Sequence, residues 1–278
     1  MTAQNPEIGL SVTTGAITTN YHDVGEGPVV LLLHGSGPGV SAWANWRLAL
    51  TDLSSQFRLV APDLAGFGFT QLPEDHEYSV DSWLSHIVDF MDALGLTRVH
   101  VIGNSFGGAM ALALAIHHPE RVDRLVLMGA AGAPFTLTEG LDAVWGYEPS
   151  PQNMRRIMDF FAYDRALVGD DLVELRYRAS MRPGVQENFA AMFPAPRQRW
   201  VDALAQDEAA VREITAPTLL VHGRDDQVIP LESSLTLLSW IDNAQLHVFG
   251  RCGHWTQIEH SAEFARLVAD FLADDPTH

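Results

Sequence analysis

The sequence predicts an α/β protein: a mostly parallel, doubly wound sheet with helices on both faces, interrupted by one helical insertion. Three observations predict it. Short apolar runs recur as continuous rather than alternating segments, the pattern of strands buried on both faces of a parallel sheet. Helical patterns lie between these runs. One stretch, 134–208, contains no strand-like run.

The elements follow in order. Apolar runs at 29–33, 58–61, 99–102, 125–128, 218–221 and 246–249 are the predicted strands. Between the second and third, Val80, Trp83, Leu84, Ile87, Phe90, Met91 and Leu94 recur at spacings of three to four, the apolar stripe of an amphipathic helix over 80–94. Residues 106–117 are small and apolar nearly all round, as in a helix laid against a sheet, and Pro119 stops it. The last helix, 261–272, carries Phe264, Leu267, Val268, Phe271 and Leu272 on one side. The sheet and its helices are thus expected from 1–133 and 209–278. A helical lid is expected over 134–208, broken by Pro149, Pro151, Pro183, Pro194 and Pro196, where insertions at strand carboxyl ends cover a ligand crevice.

Composition removes several functions. All 17 basic residues are Arg, so no P-loop lysine, kinase lysine or Schiff-base lysine can exist. With 35 acidic residues the net charge is −18, which argues against nucleic acid and against an anionic membrane surface. No apolar run approaches the ~20 residues that span a bilayer. The single Cys forms no internal disulfide, and the first 25 residues lack the form of a signal peptide, so the expectation is a cytoplasmic protein. Metal catalysis finds no ligand pattern: there is no H-E-x-x-H, and His117 and His118 merely end a helix. No cofactor is expected.

The chemistry sits at strand ends. Gly103-Asn104-Ser105-Phe106-Gly107 is a G-x-S-x-G motif directly between a strand and a helix. Such a turn lifts Ser105 Oγ above the sheet at a helix N-terminus, where developing negative charge is favoured. A nucleophilic Ser needs a base and an orienter, in the chain order Ser, acid, His. The strand at 218–221 runs into Asp225 and Asp226, and the strand at 246–249 runs into a glycine-flanked His254. Asp226 is assigned as orienter, with Asp225 the competitor, and His254 as base. The loop His34-Gly35-Ser36-Gly37-Pro38-Gly39 follows the 29–33 strand; no Lys follows it and Pro38 removes a donor, so it reads as an oxyanion hole rather than a phosphate loop. Its donors would be the amides of Ser36 and Gly37 together with that of Phe106, each worth ~3 kcal/mol of barrier. Cys252 reads as loop packing and Asp63 as a turn former.

The combination of Leu33 to Gly39, Trp43-Ala44-Asn45, Gly103 to Gly108, Gly223 to Asp226 and Cys252-Gly253-His254-Trp255 resembles the meta-cleavage product hydrolases, C–C bond hydrolases of the α/β-hydrolase fold from aromatic degradation. Two stretches of the insertion, 141–147 and 191–200, most resemble the branch that cleaves 2-hydroxymuconate semialdehyde to 2-hydroxypenta-2,4-dienoate and formate. The resemblance implies an eight-stranded sheet, a small-molecule dienoate substrate and a homo-oligomer, dimer or higher. It also implies that Asn45, Asn104, Arg182 and Trp255 line the polar side of the pocket, with Arg182 on the substrate carboxylate. Trp145, Ala131, Val201 and Ile229 would line the apolar end. The alternatives are a sibling hydrolase for alkyl or aryl ketones, a carboxylesterase, and a non-catalytic binding member of the fold. A haloalkane dehalogenase is excluded, because it needs a carboxylate where Ser105 stands.

Overall fold

The computed structural model describes residues 5–273. Eight strands form one sheet: β1 (Leu10–Thr14), β2 (Ile17–Val24), β3 (Val29–Leu33), β4 (Arg58–Pro62), β5 (Val99–Asn104), β6 (Val122–Met128), β7 (Thr218–Gly223) and β8 (Ala244–Phe249). Their order is β1-β2-β4-β3-β5-β6-β7-β8. β1 pairs with β2 and β2 with β4 antiparallel, while β4 through β8 are parallel.

The helices are α1 (Ala42–Leu53), α2 (Val80–Ala93), α3 (Phe106–His117), α4 (Glu139–Trp145), α5 (Pro151–Phe161), α6 (Asp170–Ser180), α7 (Val185–Met192), α8 (Gln198–Leu204), α9 (Glu208–Arg212), α10 (Leu231–Trp240), α11 (Thr256–Glu259) and α12 (Ser261–Ala273). Among the described residues no helix is long and apolar enough to cross a membrane.

All six apolar runs form strands. The two N-terminal strands show no such run, because neither is continuously buried. β1 has no buried residue, and β2 buries only Thr19 to His22, three of them polar. Both are held by antiparallel pairing with the edge of the sheet, a long-range contact that no local pattern announces.

Two apolar layers flank the sheet. On one side Leu31, Leu33, Val101 and Leu127 pack with Ile87 and Phe90 of α2 and with α3; on the other Val30, Leu32, Ile102 and Val126 pack with Trp46 of α1 and Phe264 of α12. Both faces of β3, β5 and β6 are therefore dry, which is why these strands carry apolar residues at successive positions.

The chain leaves β3 toward β4 and returns to β5 on the opposite side of β3. This reversal opens a crevice beyond the carboxyl ends of β3 and β5, the place where open α/β sheets hold ligands. The loop after β3 and the turn after β5 both face it. Between β6 and β7, α4 to α9 and one short 3₁₀ turn (Arg165–Leu167) make up the long crossover, with no strand.

Candidate active site

Ser105 stands at the turn between β5 and α3 with φ 55° and ψ −114°, a backbone conformation that costs energy in a non-glycine residue. Its surroundings over-determine it. Ser105 N–H donates to Met128 O at 2.8 Å, and Ser105 O accepts from the amides of Gly108, Ala109 and Ala131 at 3.0, 3.1 and 3.2 Å. The glycines on either side are steric necessities. A Cβ at Gly103 would lie 2.3 Å from Gly107 O, and one at Gly107 would lie 2.3 Å from Leu33 O. The motif thus reads as close approach of α3, β5 and β3, with the serine raised out of the sheet.

Behind it lies an ordered pair. His254 Nδ1 is 2.7 Å from Asp226 Oδ2, and both side chains are almost completely buried. The other carboxylate oxygen accepts from the amides of Val228 at 2.7 Å and Ile229 at 3.0 Å, so the carboxylate cannot rotate away. An ionised acceptor at Nδ1 places the imidazole proton there and leaves Nε2 to take a proton. Burial raises the Asp226 pKa, but His254 and His222 beside it outweigh burial and hold it well below the usual carboxylate range.

His222 is a contributor that no sequence pattern marks. Its Nε2–H faces the carbonyl of Ile229 at 3.0 Å and Asp226 Oδ2 at 3.4 Å, and Ser234 Oγ stands 2.7 Å from its Nδ1. It begins the very segment that supplies Asp226, but nothing local shows a fully buried His folding back onto a carboxylate four residues on. Asp225, the competing acid, turns outward: it is partly exposed and receives the Cys252 amide at 3.4 Å.

The loop after β3 is fixed from below. His34 is fully buried; its Nδ1 bonds Gly35 O at 2.8 Å and its Nε2 accepts from Leu64 N–H at 2.9 Å. Burial lowers its pKa to about 4, so it is a neutral structural ring. Asn45 Oδ1 receives the Gly35 amide at 2.8 Å and Asn104 Nδ2 at 3.1 Å, tying the loop to the serine turn. Among the described residues no carbonyl or side chain takes the N–H of Ser36, Gly37 or Phe106. Trp145 Nε1–H donates to Ser36 Oγ at 2.9 Å, anchoring the insertion to the same loop.

A cavity of about 230 Å³ lies over these groups. Ser36, Gly37, Asn45, Asn104, Ser105, His254 and Trp255 line it, together with Arg47, Arg176 and Gln257. Apolar side chains of the insertion close it, among them Leu141, Val144, Met154, Ile157, Met158 and Phe161. Asn104 Oδ1 and Gln257 Oε1 are buried in this wall without a hydrogen-bond partner.

Five other expected pocket residues are not among the side chains that line this cavity. Val201 and Ile229 are fully buried in the apolar core, and Ala131 nearly so. Trp145 stacks on Phe193 with ring centroids 4.5 Å apart. Arg182 donates from Nε to Ala179 O at 3.1 Å and from its terminal nitrogen to Gly68 O at 3.2 Å, and its guanidinium lies 3.9 Å over the Phe69 ring. Helix α6 instead turns Arg176, six residues earlier, into the cavity. Its side chain is mostly buried, bonded to Gly39 O and 3.6 Å from Glu7 Oε1. Glu7 also accepts from Ser41 Oγ at 2.9 Å.

Two other readings are settled by packing. Asp63 is completely buried and accepts from the amides of Ala42 and Phe69 at 2.6 and 2.8 Å and from Asn20 Nδ2 at 2.7 Å. Burial lifts its pKa to about 6; it organises the turn after β4 and does not line the cavity. The Cys252 thiol is buried, and burial with the nearby carboxylates of Glu259 and Asp226 pushes its pKa far up, which removes it as a nucleophile.

Comparison with known proteins identifies the family. The family model for the α/β hydrolase fold matches residues 28–261. A 2-hydroxy-6-oxo-2,4-heptadienoate hydrolase of Pseudomonas putida is 63% identical over 98% of this chain and 99% of its own length. A 2-hydroxymuconate semialdehyde hydrolase of a Pseudomonas species is 61% identical over 97% of this chain and 95% of its own. The crystal structure of a meta-cleavage product hydrolase from Pseudomonas fluorescens superposes with a TM-score of 0.95 at 59% identity, covering 96% of this chain and 98% of that one. With the serine turn, the buried acid–imidazole pair and the covered cavity in place, this chain belongs to the α/β-hydrolase family and, within it, to the meta-cleavage product hydrolases, which hydrolyse a carbon–carbon bond.

Proposed function

We propose that the substrate is a 2-hydroxy-6-oxo-hexa-2,4-dienoate with a small group at the carbonyl end, foremost 2-hydroxymuconate semialdehyde, and that the products from it are 2-hydroxypenta-2,4-dienoate and formate. The observation that carries this is the cavity: a serine–imidazole pair sits in a wall of amides and cations on one side and aliphatic side chains on the other. A dienoate has the same division, with a carboxylate and 2-oxygen at one end and an apolar chain at the other. A methyl ketone in place of the aldehyde is the second reading, favoured by the relative named for a heptadienoate.

Breaking the bond between carbons 5 and 6 requires somewhere for its electron pair to go. Moving the 2-hydroxyl proton to carbon 5 makes the 2-ketone, whose conjugated chain accepts that pair as a dienolate. Asn104 Oδ1 and Gln257 Oε1, lacking partners, suit the donor hydroxyl of the dienol. His254 Nε2 takes the proton of the attacking oxygen, from Ser105 or from water. The tetrahedral oxyanion at carbon 6 is received by the Ser36, Gly37 and Phe106 amides. Collapse expels the dienolate, and one water is consumed overall.

The carboxylate end falls to guanidinium charge. Arg176 is in the wall, and Arg182 lies close enough behind it for each to face the field of Glu7. The Arg176→Gln variant is expected to raise KM for carboxylated dienes by ~10- to 100-fold, as for loss of a charge-assisted contact, and to spare neutral aryl esters. Arg182→Gln should cost several-fold less. A larger loss in the Arg182 variant would move the carboxylate to that side chain. A cytoplasmic location and a homo-oligomeric state of two or more copies complete the reading.

The test is direct. The purified protein without added metal or cofactor should remove the visible absorbance of the ring-fission product of catechol and release one formate per molecule. No loss of absorbance alongside good turnover of simple esters would sink the assignment. Relative rates on formyl, methyl-ketone and phenyl-ketone substrates then rank the carbonyl-end group.

A further inference from the structure

The triad accounts for how the His254 ring is oriented, and leaves open what fixes its main chain. Residues 250–255 form a loop between β8 and α11. His254 N–H donates to Phe161 O at 2.7 Å, at the carboxyl end of α5 in the helical insertion. The Phe161 ring stacks on His254 and on Trp255, with centroids 5.7 and 5.1 Å apart and planes inclined by 21° and 23°. A Cβ at Gly253 would meet Phe161 O at 2.5 Å and Tyr163 N at 2.9 Å, so the loop and the insertion touch backbone to backbone.

One carboxylate spans this contact. Glu259 Oε1 accepts from Gly253 N–H at 2.7 Å, while its Oε2 accepts from Tyr163 N–H at 2.8 Å and Asp164 N–H at 3.0 Å. The bonds are charge-assisted and converge on one rigid group, which makes them stronger and more directional than neutral pairs. They also satisfy amides just beyond the end of α5, where the chain has left its helix.

We propose that Glu259 is a positioning residue for the general base. By clasping Gly253 on one side and Tyr163 and Asp164 on the other, it holds the His254 main chain against the insertion, so the base is in place only while the end of α5 is seated. Asp226 sets the rotation and tautomer of the ring; Glu259 sets where the ring stands. A misplacement of about 1 Å at a reacting group can cost ~100-fold in rate, so this restraint acts on kcat rather than on substrate affinity.

The inference rests on His254 as base of the proposed reaction. Measuring each variant on a neutral aryl ester as well as on the dienoate separates the two, because the ester needs the triad but not the C–C chemistry. Glu259→Gln keeps the size of the side chain and turns one acceptor into an NH₂ that faces an amide donor. It should lower kcat tenfold or more on both substrates with KM changed less than threefold. The low-field proton resonance of the His254–Asp226 hydrogen bond should broaden or shift. Glu259→Asp, which keeps the charge on a shorter arm, should recover part of the rate. Glu139→Gln, which removes the ion pair with Arg156 elsewhere on the insertion, should leave kcat within twofold. A Glu259→Gln protein with kcat within twofold of wild type overturns the proposal. So does an equal loss for Glu139→Gln, or an unchanged low-field resonance. If the Gln variant does not fold, the Asp variant carries the same comparison of kcat, KM and resonance.

Discussion

Ser105→Ala is expected to lower kcat by ~10⁴-fold or more, the scale at which loss of a triad nucleophile acts, while leaving the affinity for the dienoate nearly unchanged. Binding survives for a geometric reason. The positive φ of Ser105 is held by four backbone hydrogen bonds and by glycine contacts on either side, none of which involves Oγ. Alanine meets the same backbone penalty as serine, so the turn, the Phe106 amide and the cavity wall persist. The measurement is stopped-flow kinetics with a binding titration on the visible absorbance of the dienoate. Turnover within tenfold of wild type would remove Ser105 from the reaction. Loss of binding and turnover together would mean that the hydroxyl supports the cavity.

Asp226→Asn is expected to cost ~10⁴-fold in kcat, through the tautomer of the base. Val228 and Ile229 amides donate to Oδ1, so an asparagine places its carbonyl oxygen there and turns its NH₂ toward His254. That NH₂ donates to Nδ1 and forces the imidazole proton onto Nε2, where it can no longer accept from Ser105. The same NH₂ faces the Nε2–H of His222 at close range, donor against donor, which adds a stability cost. Asp225→Asn is the control: its carboxylate is outside the site, and kcat should stay within a few-fold. Equal losses at 225 and 226 would overturn the assignment of the orienter.

Both predictions concern positions that are legible in the amino-acid sequence, and the reason is that their signals are local. A glycine two residues before and two after a serine, at a strand-to-helix junction, records the close approach of three elements within a few residues of sequence. Asp226 and His254 announce themselves by lying just past the ends of apolar runs. Strands buried on both faces are written as consecutive apolar residues, so β3 to β7 appear as runs; β8 keeps a short run although it is largely exposed at the far edge, whereas β1 and β2, half exposed and held at the other edge, do not.

The cavity wall is less legible. Arg176 lies within α6 and Arg182 two residues beyond its end, and Arg178 stands between them, so the sequence offers three arginines within seven residues. Which one faces inward is decided by the packing of α6 on the oxyanion loop, by Gly39 O and Glu7 for one and by Phe69, Gly68 O and Ala179 O for the other. Trp145, Ala131, Val201 and Ile229 are buried where the insertion folds down on the sheet, and no local pattern shows how each of them is packed. His222 and Glu259 are silent for the same reason: a buried His and a partly buried Glu acquire their roles only through partners brought up by the fold.

By itself, then, the sequence determined the sheet of parallel strands, the helical insertion between β6 and β7, the chain order of the candidate serine, acid and imidazole, and the exclusion of lysine chemistry. Tertiary structure decided which guanidinium lines the cavity, which side chains of the insertion close it, and what the main chain of His254 rests against. The division is physical. Strand burial and tight turns constrain neighbouring residues and so leave a pattern in the chain. The direction of a long side chain and the pairing of an edge strand depend on segments tens to hundreds of residues away, and leave none.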